Sequence, residues 1–278
     1  MALDPGAALA WRDGACVLDA RGPDAFALGH LADAGRMTPA EFGTRRPELP
    51  PRTTRVLVVH ASAGEARAAA ESLAALGYGH VAWLDAPIAS LPGGLADRGP
   101  AARLWRPSPF LERVTDRLAR GRALDVASGA GRESVHLAAH GWSVEAWDHD
   151  PEALRRAHAL ADSSGVTIAS RVIELEQPGE LPEPAPWDTI VVCRYLNRLL
   201  LPWLERALAP GGTLVYETFR QGQEVHGHPR QARYLLEPGE LARAFPSLVV
   251  ECHEESDAPG GPVMAHLLAR RPGAAARG

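Results

Sequence analysis

The chain has 278 residues, 46% of them apolar and 23% charged, which is enough for two domains of ordinary size and is typical of a soluble globular protein. A net charge of −5 gives no general drive toward nucleic acid, and no run reaches the ~18 apolar residues of a membrane span. Three separated cysteines, Cys16, Cys193 and Cys252, form neither a disulfide framework nor a zinc knuckle, and lysine is absent, so arginine clusters are discounted as compositional.

The opening, MALDPGAALAW, lacks a basic start and a sustained apolar core, so a signal peptide is excluded and a cytoplasmic protein is expected. A strand is expected over 16–20 (CVLDA), followed by a loop, a short helix and Gly29-His30-Leu31. A second, buried strand covers 55–60 (RVLVVH), a helix with a small-residue face covers 64–76, and a third strand covers 81–84. Strands alternating with helices imply a parallel α/β sheet.

The series Leu18-Asp19-Ala20-Arg21, Phe26, Gly29-His30-Leu31, Ala34 and Pro39 resembles a rhodanese-like domain, over about residues 15–92. In active members of that family the loop after the second of these strands starts with the cysteine that carries a persulfide. Aligned on Val58-Val59-His60, that position is Ala61, with Gly64 and Arg67 near the family's loop glycine and arginine. Alanine has no thiol to ionise, so a sulfurtransferase-inactive domain is expected. Cys16, in an apolar strand, reads as inert core. A purely structural or docking role is the expectation for this domain, the docked occupant being a protein partner or a second copy.

Pro and Gly are dense over 92–109 and no periodic pattern survives there. The expected division is therefore a domain over 1–96, a linker over 97–109, and a second domain over 110–278. The tail PGAAARG reads as frayed.

In the second domain, residues 122–148 read as strand, glycine loop, helix and strand closed by a carboxylate. The strand is 123–127, the turn Ser128-Gly129-Ala130-Gly131, the helix 132–140, and the next strand 143–147, ended by Asp148. Such a unit holds a nucleoside-bearing cofactor at its strand ends. Glycine lets the backbone bend and approach a ligand closely, and Asp148 is placed to accept hydrogen bonds from two ribose hydroxyls. A dinucleotide fingerprint requires a third glycine where Ser134 stands, and this disfavours a nicotinamide dehydrogenase.

A helix then runs from His149-Asp150-Pro151 to about 163, followed by a strand over 166–172 and Glu174-Leu175-Glu176. A buried strand over 189–193 ends in Arg194-Tyr195-Leu196-Asn197-Arg198. Residues 200–208 are helical, Ala209-Pro210-Gly211-Gly212 stops them, and 213–217 is a strand. A long polar loop over 219–236 holds His226, His228, Arg230, Arg233 and Tyr234. Strands over 248–252 and 262–269, joined by an acidic, Gly/Pro-rich turn, close the domain.

Asp125 four residues before Gly129, with LDVASGAGRESVHLA, HGWSVEAWDHDP, CRYLNR and LAPGGTLVYETF, resembles class I S-adenosylmethionine (SAM) methyltransferases. The likeness is to the tellurite-resistance type that acts on small molecules, over about residues 105–271, with Ser128 where many relatives have cysteine. The resemblance implies two three-layer α/β domains in all. The second is a Rossmann-like sheet with an antiparallel terminal hairpin.

It also implies SAM as cofactor, held by Asp125, Ser128, Gly129, Ala130, Gly131, Asp148, His149, Glu174, Leu175 and Cys193. Arg194, Tyr195 and Arg198 stand at the strand tip that faces substrate, and the absence of an Asn/Asp-Pro-Pro-aromatic motif there counts against a base or glutamine methyltransferase. Arg220, Arg230 and Arg233 join Arg194 and Arg198 as guanidinium groups able to converge on a small anion. A thiolate or oxyanion acceptor needs no strong base, whereas a hydroxyl or amine needs one within ~3 Å, for which Tyr195, Glu217 and His226 are the candidates. Cys193, His226, His228, Cys252 and His253 fit no zinc spacing, so no metal is expected.

The expected activity is methyl transfer from SAM to a small thiol, chalcogen oxyanion or other anionic metabolite. No nucleic-acid or membrane partner is expected. Two alternatives stay open: an RNA or protein methyltransferase using the first domain as substrate adaptor, and a non-catalytic SAM-binding scaffold.

Overall fold

The computed structural model describes residues 1–177, 181–256 and 262–273. The chain divides into two compact units, Met1–Arg106 and Pro107–Gly278.

The first unit carries β1 (Ala2–Leu3), α1 (Pro5–Arg12), β2 (Cys16–Asp19), α2 (Pro23–Ala27), β3 (Ala34–Arg36), β4 (Val56–Val59), α3 (Ala63–Ala75) and β5 (Val81–Leu84). They form a five-stranded parallel sheet in the order β1-β5-β4-β2-β3. Alternation with period two sorts the strand residues between two cores. Val17, Leu57, Val59, Ala82 and Leu84 pack on one face with Leu3, Phe26 and Ile88. Leu18, Val56 and Val58 pack on the other with Met37, Ala69, Leu73 and Leu104.

Sequence reasoning missed β1 and α1. The strand has two residues and no readable period, but Asp4 caps the helix by accepting from the Ala7 amide at 2.9 Å, and Pro5 occupies its first turn. The motif residues of this unit are structural. Arg21 grips the buried Asp19 through Nε (2.9 Å) and Nη2 (2.6 Å) and donates to the Gly29 carbonyl. His30 stacks on Phe26 with ring centroids 3.8 Å apart.

Within the stretch expected as a linker, Leu104, Trp105 and Ser108 are buried. Residues up to 106 belong to the first unit and the rest to the second. Gly35 leaves room for the buried Leu104, whose Cδ2 would lie 2.3 Å from a Cβ there, and the Ala102 amide donates to the Ala34 carbonyl. High Pro and Gly content hid this, because it erases periodicity without preventing burial.

The second unit carries α4 (Pro109–Val114), β6 (Arg122–Val126), α5 (Arg132–Ala139), β7 (Ser143–Asp148), α6 (Pro151–Ser163), β8 (Ala169–Val172), β9 (Trp187–Cys193), α7 (Leu201–Ala207), β10 (Leu208–Phe219), α8 (Glu240–Arg243), β11 (Val249–Ser256) and β12 (Met264–Arg270). The seven-stranded sheet has the order β11-β12-β10-β9-β6-β7-β8, and β12 runs antiparallel to both neighbours. The terminal hairpin is therefore as expected; its turn, and the tail from 274, lie outside the described residues. Leu124, Val126, Ile190 and Val192 face a core shared with Leu204 of α7 and Leu241 of α8. The alternate Asp125 faces the other side, where it meets Ser134 of α5.

Several boundaries moved, two of them for a visible local reason. Gly165, at φ +69°, ends α6, and the Val166 amide turns back to the Ala161 carbonyl, so β8 begins only at Ala169. Residues 209–212 stop α7 and also form an irregularity within β10, whose pairing with β9 shifts register between Leu208 and Thr213. Among the described residues, no helix is long and apolar enough to cross a membrane.

Candidate active site

Strand order reverses between β6 and β9, because β7 and β8 lie to one side and β10 to the other. In open parallel sheets that switch point is where ligands sit, beyond the carboxyl ends of the strands. The residues there come from the tips of β6, β7, β9 and β10.

After β6 the chain turns through three left-handed residues, Ala127 (φ +56°), Gly129 (+53°) and Gly131 (+77°). Two backbone bonds hold the loop against β7: the Ser128 amide donates to the Trp147 carbonyl (2.9 Å), and the Gly129 amide to Asp148 Oδ2 (2.7 Å). Asp148 Oδ1 accepts from the Asp150 amide at 2.9 Å, so each oxygen of this buried carboxylate keeps further acceptor capacity. His149 is exposed, its Nδ1 3.3 Å from Asp148 Oδ1.

The two glycines serve different ends. A Cβ on Gly131 would lie 2.5 Å from Ala157 Cβ, so that glycine lets α5 pack on α6; a Cβ on Gly129 would meet nothing within 4 Å. Ala127 adopts a conformation costly for a side chain, a feature that sequence reasoning missed.

Asp125 is buried and receives the Ser134 hydroxyl at 2.5 Å. Burial first, then Glu133, pushes its ionisation well above the usual range, against the Ser134 hydroxyl and amide. The helix cap Gly131 has no side chain, so Asp125 serves α5 from the neighbouring strand. Ser134, where a dinucleotide site has its third glycine, is thus half of a strand-to-helix clasp.

At the β9 tip the Cys193 thiol is pushed up by burial and by Glu217, Glu133 and Asp125. Arg194 is exposed, at φ +58°, and its amide donates to the Glu217 carbonyl at 2.8 Å. Tyr195 is partly buried with its hydroxyl 3.4 Å from Glu176 Oε1; burial and Glu176 hold it in the phenol form.

Glu217, on β10, is 3% exposed. Its Oε2 accepts from Ser108 Oγ at 2.5 Å and lies 3.7 Å from His266 Nε2 on β12. Burial raises its pKa, opposed by Ser108, Arg194 and Cys193. Glu133 Oε1 accepts from the Ser108 amide at 3.1 Å, and burial raises its pKa as well. Two acidic side chains thus meet one serine. Ser108, Glu133 and His266 were not singled out from the sequence; only the register Glu217 to His266 and a fold-level contact bring them together.

Other expected site residues are engaged elsewhere. Arg198 donates to Glu240 through Nε (2.6 Å) and Nη2 (2.8 Å), and to the carbonyls of Arg233 and Leu235 (2.9 Å each). It is a strut between two loops. Arg220 Nε lies 3.7 Å from Glu255, and Arg233 stacks on Tyr234. His226, His228 and Arg230 are exposed.

Glu174 is partly buried and accepts from the Glu176 amide, while Leu175 is buried and its carbonyl accepts from Asn197 Nδ2 at 2.8 Å. Leu175 thereby ties the β8 exit to the β9 tip. Cys252 and His253 sit on β11, and among the described residues no three metal-ligating side chains come together.

A family model described as tellurite resistance protein TehB matches residues 111–197. No curated protein matches the chain. Among solved structures, TehB from Haemophilus influenzae is similar at 17% identity and a TM-score of 0.49, over 58% of this chain and 61% of that one. The chain thus spans about three fifths of that protein's length. The N-methyltransferase NodS from Bradyrhizobium japonicum gives 19% and 0.48, over 59% and 92%. A SAM-dependent methyltransferase from Methanosarcina mazei gives 18% and 0.47, over 61% and 100%.

Proposed function

We propose that this chain methylates a small molecule with a protonated nucleophile, a thiol or an amine, and that Glu217 takes the proton. The chain is a SAM-dependent methyltransferase and SAM is its cofactor; the TehB match and the loop joining β6 to α5 support both. The observation that carries the reading is the Asp148 carboxylate, fixed by the Gly129 amide at 2.7 Å at the switch point of the sheet.

The residues present fit such a cofactor. Ser128 Oγ is buried without a hydrogen-bond partner among the described residues, and a Cβ on Gly129 would fall in open space. Asp148 would hold the ribose, the Ser128–Ala130 backbone the methionyl part, and Glu174 and Leu175 the adenine edge. Asp125 acts one step back, by keeping the loop in shape through Ser134. When bound, SAM supplies an electrophilic methyl group, and the protein contributes position and electrostatics.

The acceptor class follows from which charges are free. The guanidinium of Arg198 is occupied by Glu240 and two carbonyls, which takes one of the five candidate arginines away from an oxyanion. The buried acidic Glu217 instead suits an acceptor that arrives with its proton. Its raised pKa, from burial, makes the carboxylate a stronger base than an exposed glutamate. Tyr195, held neutral, is suited to orienting the acceptor, and the exposed His226 has no described partner that would orient it as a base.

The first unit is read as a rhodanese-like fold without its nucleophile. Its parallel sheet order and Ala61 at the head of the loop into α3 support this. Glu65 accepts from Ser62 Oγ at 2.7 Å and lies 2.9 Å from His60 Nδ1, so a carboxylate stands at the helix start where an anion would otherwise bind. Cys16, pushed up to about 11 by burial, stays a thiol. A structural or docking module is the role this reading gives to the unit.

The test is calorimetric titration with S-adenosylhomocysteine. Asp148→Ala is expected to weaken binding at least tenfold, about 1.4 kcal/mol. No binding by the intact chain would withdraw the reading.

A further inference from the structure

We propose that Ser108 is a positioning residue that clamps Glu217 and Glu133 together at the acceptor edge of the sheet, its hydroxyl on one and its amide on the other. This rests on the reading of Glu217 as the proton acceptor. Ser108 is 5% exposed and directly precedes α4. Its hydroxyl accepts from the amides of Phe110 (3.2 Å) and Leu111 (3.3 Å), and donates its single proton to Glu217 Oε2 at 2.5 Å. Its own amide donates to Glu133 Oε1 at 3.1 Å. Three segments far apart in sequence, α4, the first turn of α5 and the tip of β10, therefore converge on one residue.

The hydroxyl has no freedom left. Both lone-pair directions take helix amides, so the proton must point at Glu217, and two incoming donors strengthen the outgoing bond. An ordinary N-cap serine needs only to accept; donation to a buried carboxylate is additional.

The groups facing Glu217 are Ser108 before α4, Glu133 on α5, Cys193 and Arg194 at the β9 tip, and His266 on β12. Burial opposes the ionised form of Glu217. The Ser108 bond favours that form and fixes which oxygen faces away from α4. Without the clamp, Glu217 holds its proton to higher pH and its carboxyl turns freely.

The test is a pH titration of the full-length protein by carbon NMR with glutamate labelled at the side-chain carboxyl, the Glu217 resonance being assigned with Glu217→Gln. Ser108→Gly keeps a favourable helix cap but has no hydroxyl. It is expected to raise the Glu217 midpoint by about one pH unit, the worth of a hydrogen bond to a charged group. Ser108→Ala should do the same, and Ser108→Thr should restore the original midpoint.

With labelled SAM and 2-mercaptoethanol as probe acceptor, the acid limb of kcat/KM should move by the same amount and in the same direction. A midpoint unchanged in both hydroxyl-free variants overturns the clamp, because a purely structural cap would leave it there. A midpoint that moves while Glu217→Gln turns over the probe like the parent leaves the clamp standing and removes Glu217 from the chemistry. S-adenosylhomocysteine binding by the parent, measured separately, tests the methyltransferase reading alone.

Discussion

At the scale of single residues, the glycine loop separates two demands that a sequence writes with the same letter. Gly131 is needed by packing and by its φ of +77°, since an added Cβ would lie 2.5 Å from Ala157 Cβ and 3.1 Å from Ala157 Cα. Gly131→Ala is expected to cost about 2–5 kcal/mol of stability, from left-handed strain plus overpacking, as read by urea denaturation. Gly129→Ala meets nothing within 4 Å and should cost only about 1–2 kcal/mol, the strain alone. It should nevertheless weaken S-adenosylhomocysteine more than tenfold, because the new methyl group fills the space beside the amide that Asp148 fixes. Equal affinity in parent and variant would take the ligand away from this loop. Asp148, Gly129 and Gly131 were legible from the sequence because spacing within one unit sets them. Ser108 was not, because nothing in PSP marks a serine as the donor to a carboxylate 109 positions away.

At the scale of elements, the strand tips are reached by loops whose shape is set by struts. The outstanding case is Arg198, expected to hold a substrate anion and found joining the β9 tip to the start of α8 and the segment before it. Arg198→Ala should cost about 1–2 kcal/mol, since the pair with Glu240 is partly exposed while two carbonyls lose their donor. Amide exchange over 233–240 should quicken about tenfold while cofactor affinity stays as it was. Loss of affinity with unchanged exchange would return Arg198 to the ligand site. An arginine's sequence position tells which tip it stands on; whether its fork is free depends on the carbonyls that a distant loop brings.

At the scale of the molecule, buried carboxyls and arginine-paired ones answer protons with opposite sign. In the second unit Asp125, Glu133 and Glu217 have raised pKa values, chiefly from burial. The folded state then binds more protons than the unfolded one above the ordinary carboxylate values of 3.8 and 4.5, so stability falls as pH rises through that window and levels off above the folded values. In the first unit Glu41, held by Arg36, Thr38 and Arg45 against its own desolvation, is lowered from 4.5 to about 2. Its contribution is complete above 4.5 and is lost as pH falls toward 2.

Scanning calorimetry as a function of pH should therefore read opposing contributions, from the buried carboxyls of the second unit and from Glu41 of the first. The three buried carboxyls favour the folded second unit more as pH falls, whereas His266, whose pKa is lowered by burial, and the arginine-paired Glu240 and Glu251 act against them. Glu217→Gln should flatten the response of the second unit; an unchanged slope would mean that this carboxyl ionises as it does in the unfolded chain. Sequence by itself determined the alternation of strands and helices, the glycine turn and the carboxylate that closes β7, because these depend on period and spacing within a few tens of residues. Tertiary structure alone decided that Leu104 and Trp105 are buried, that Arg198 is a strut, and that Ser108, Glu133, Glu217 and His266 share one end of a sheet. Those outcomes depend on burial and on hydrogen-bond partners from distant segments, which local pattern does not encode.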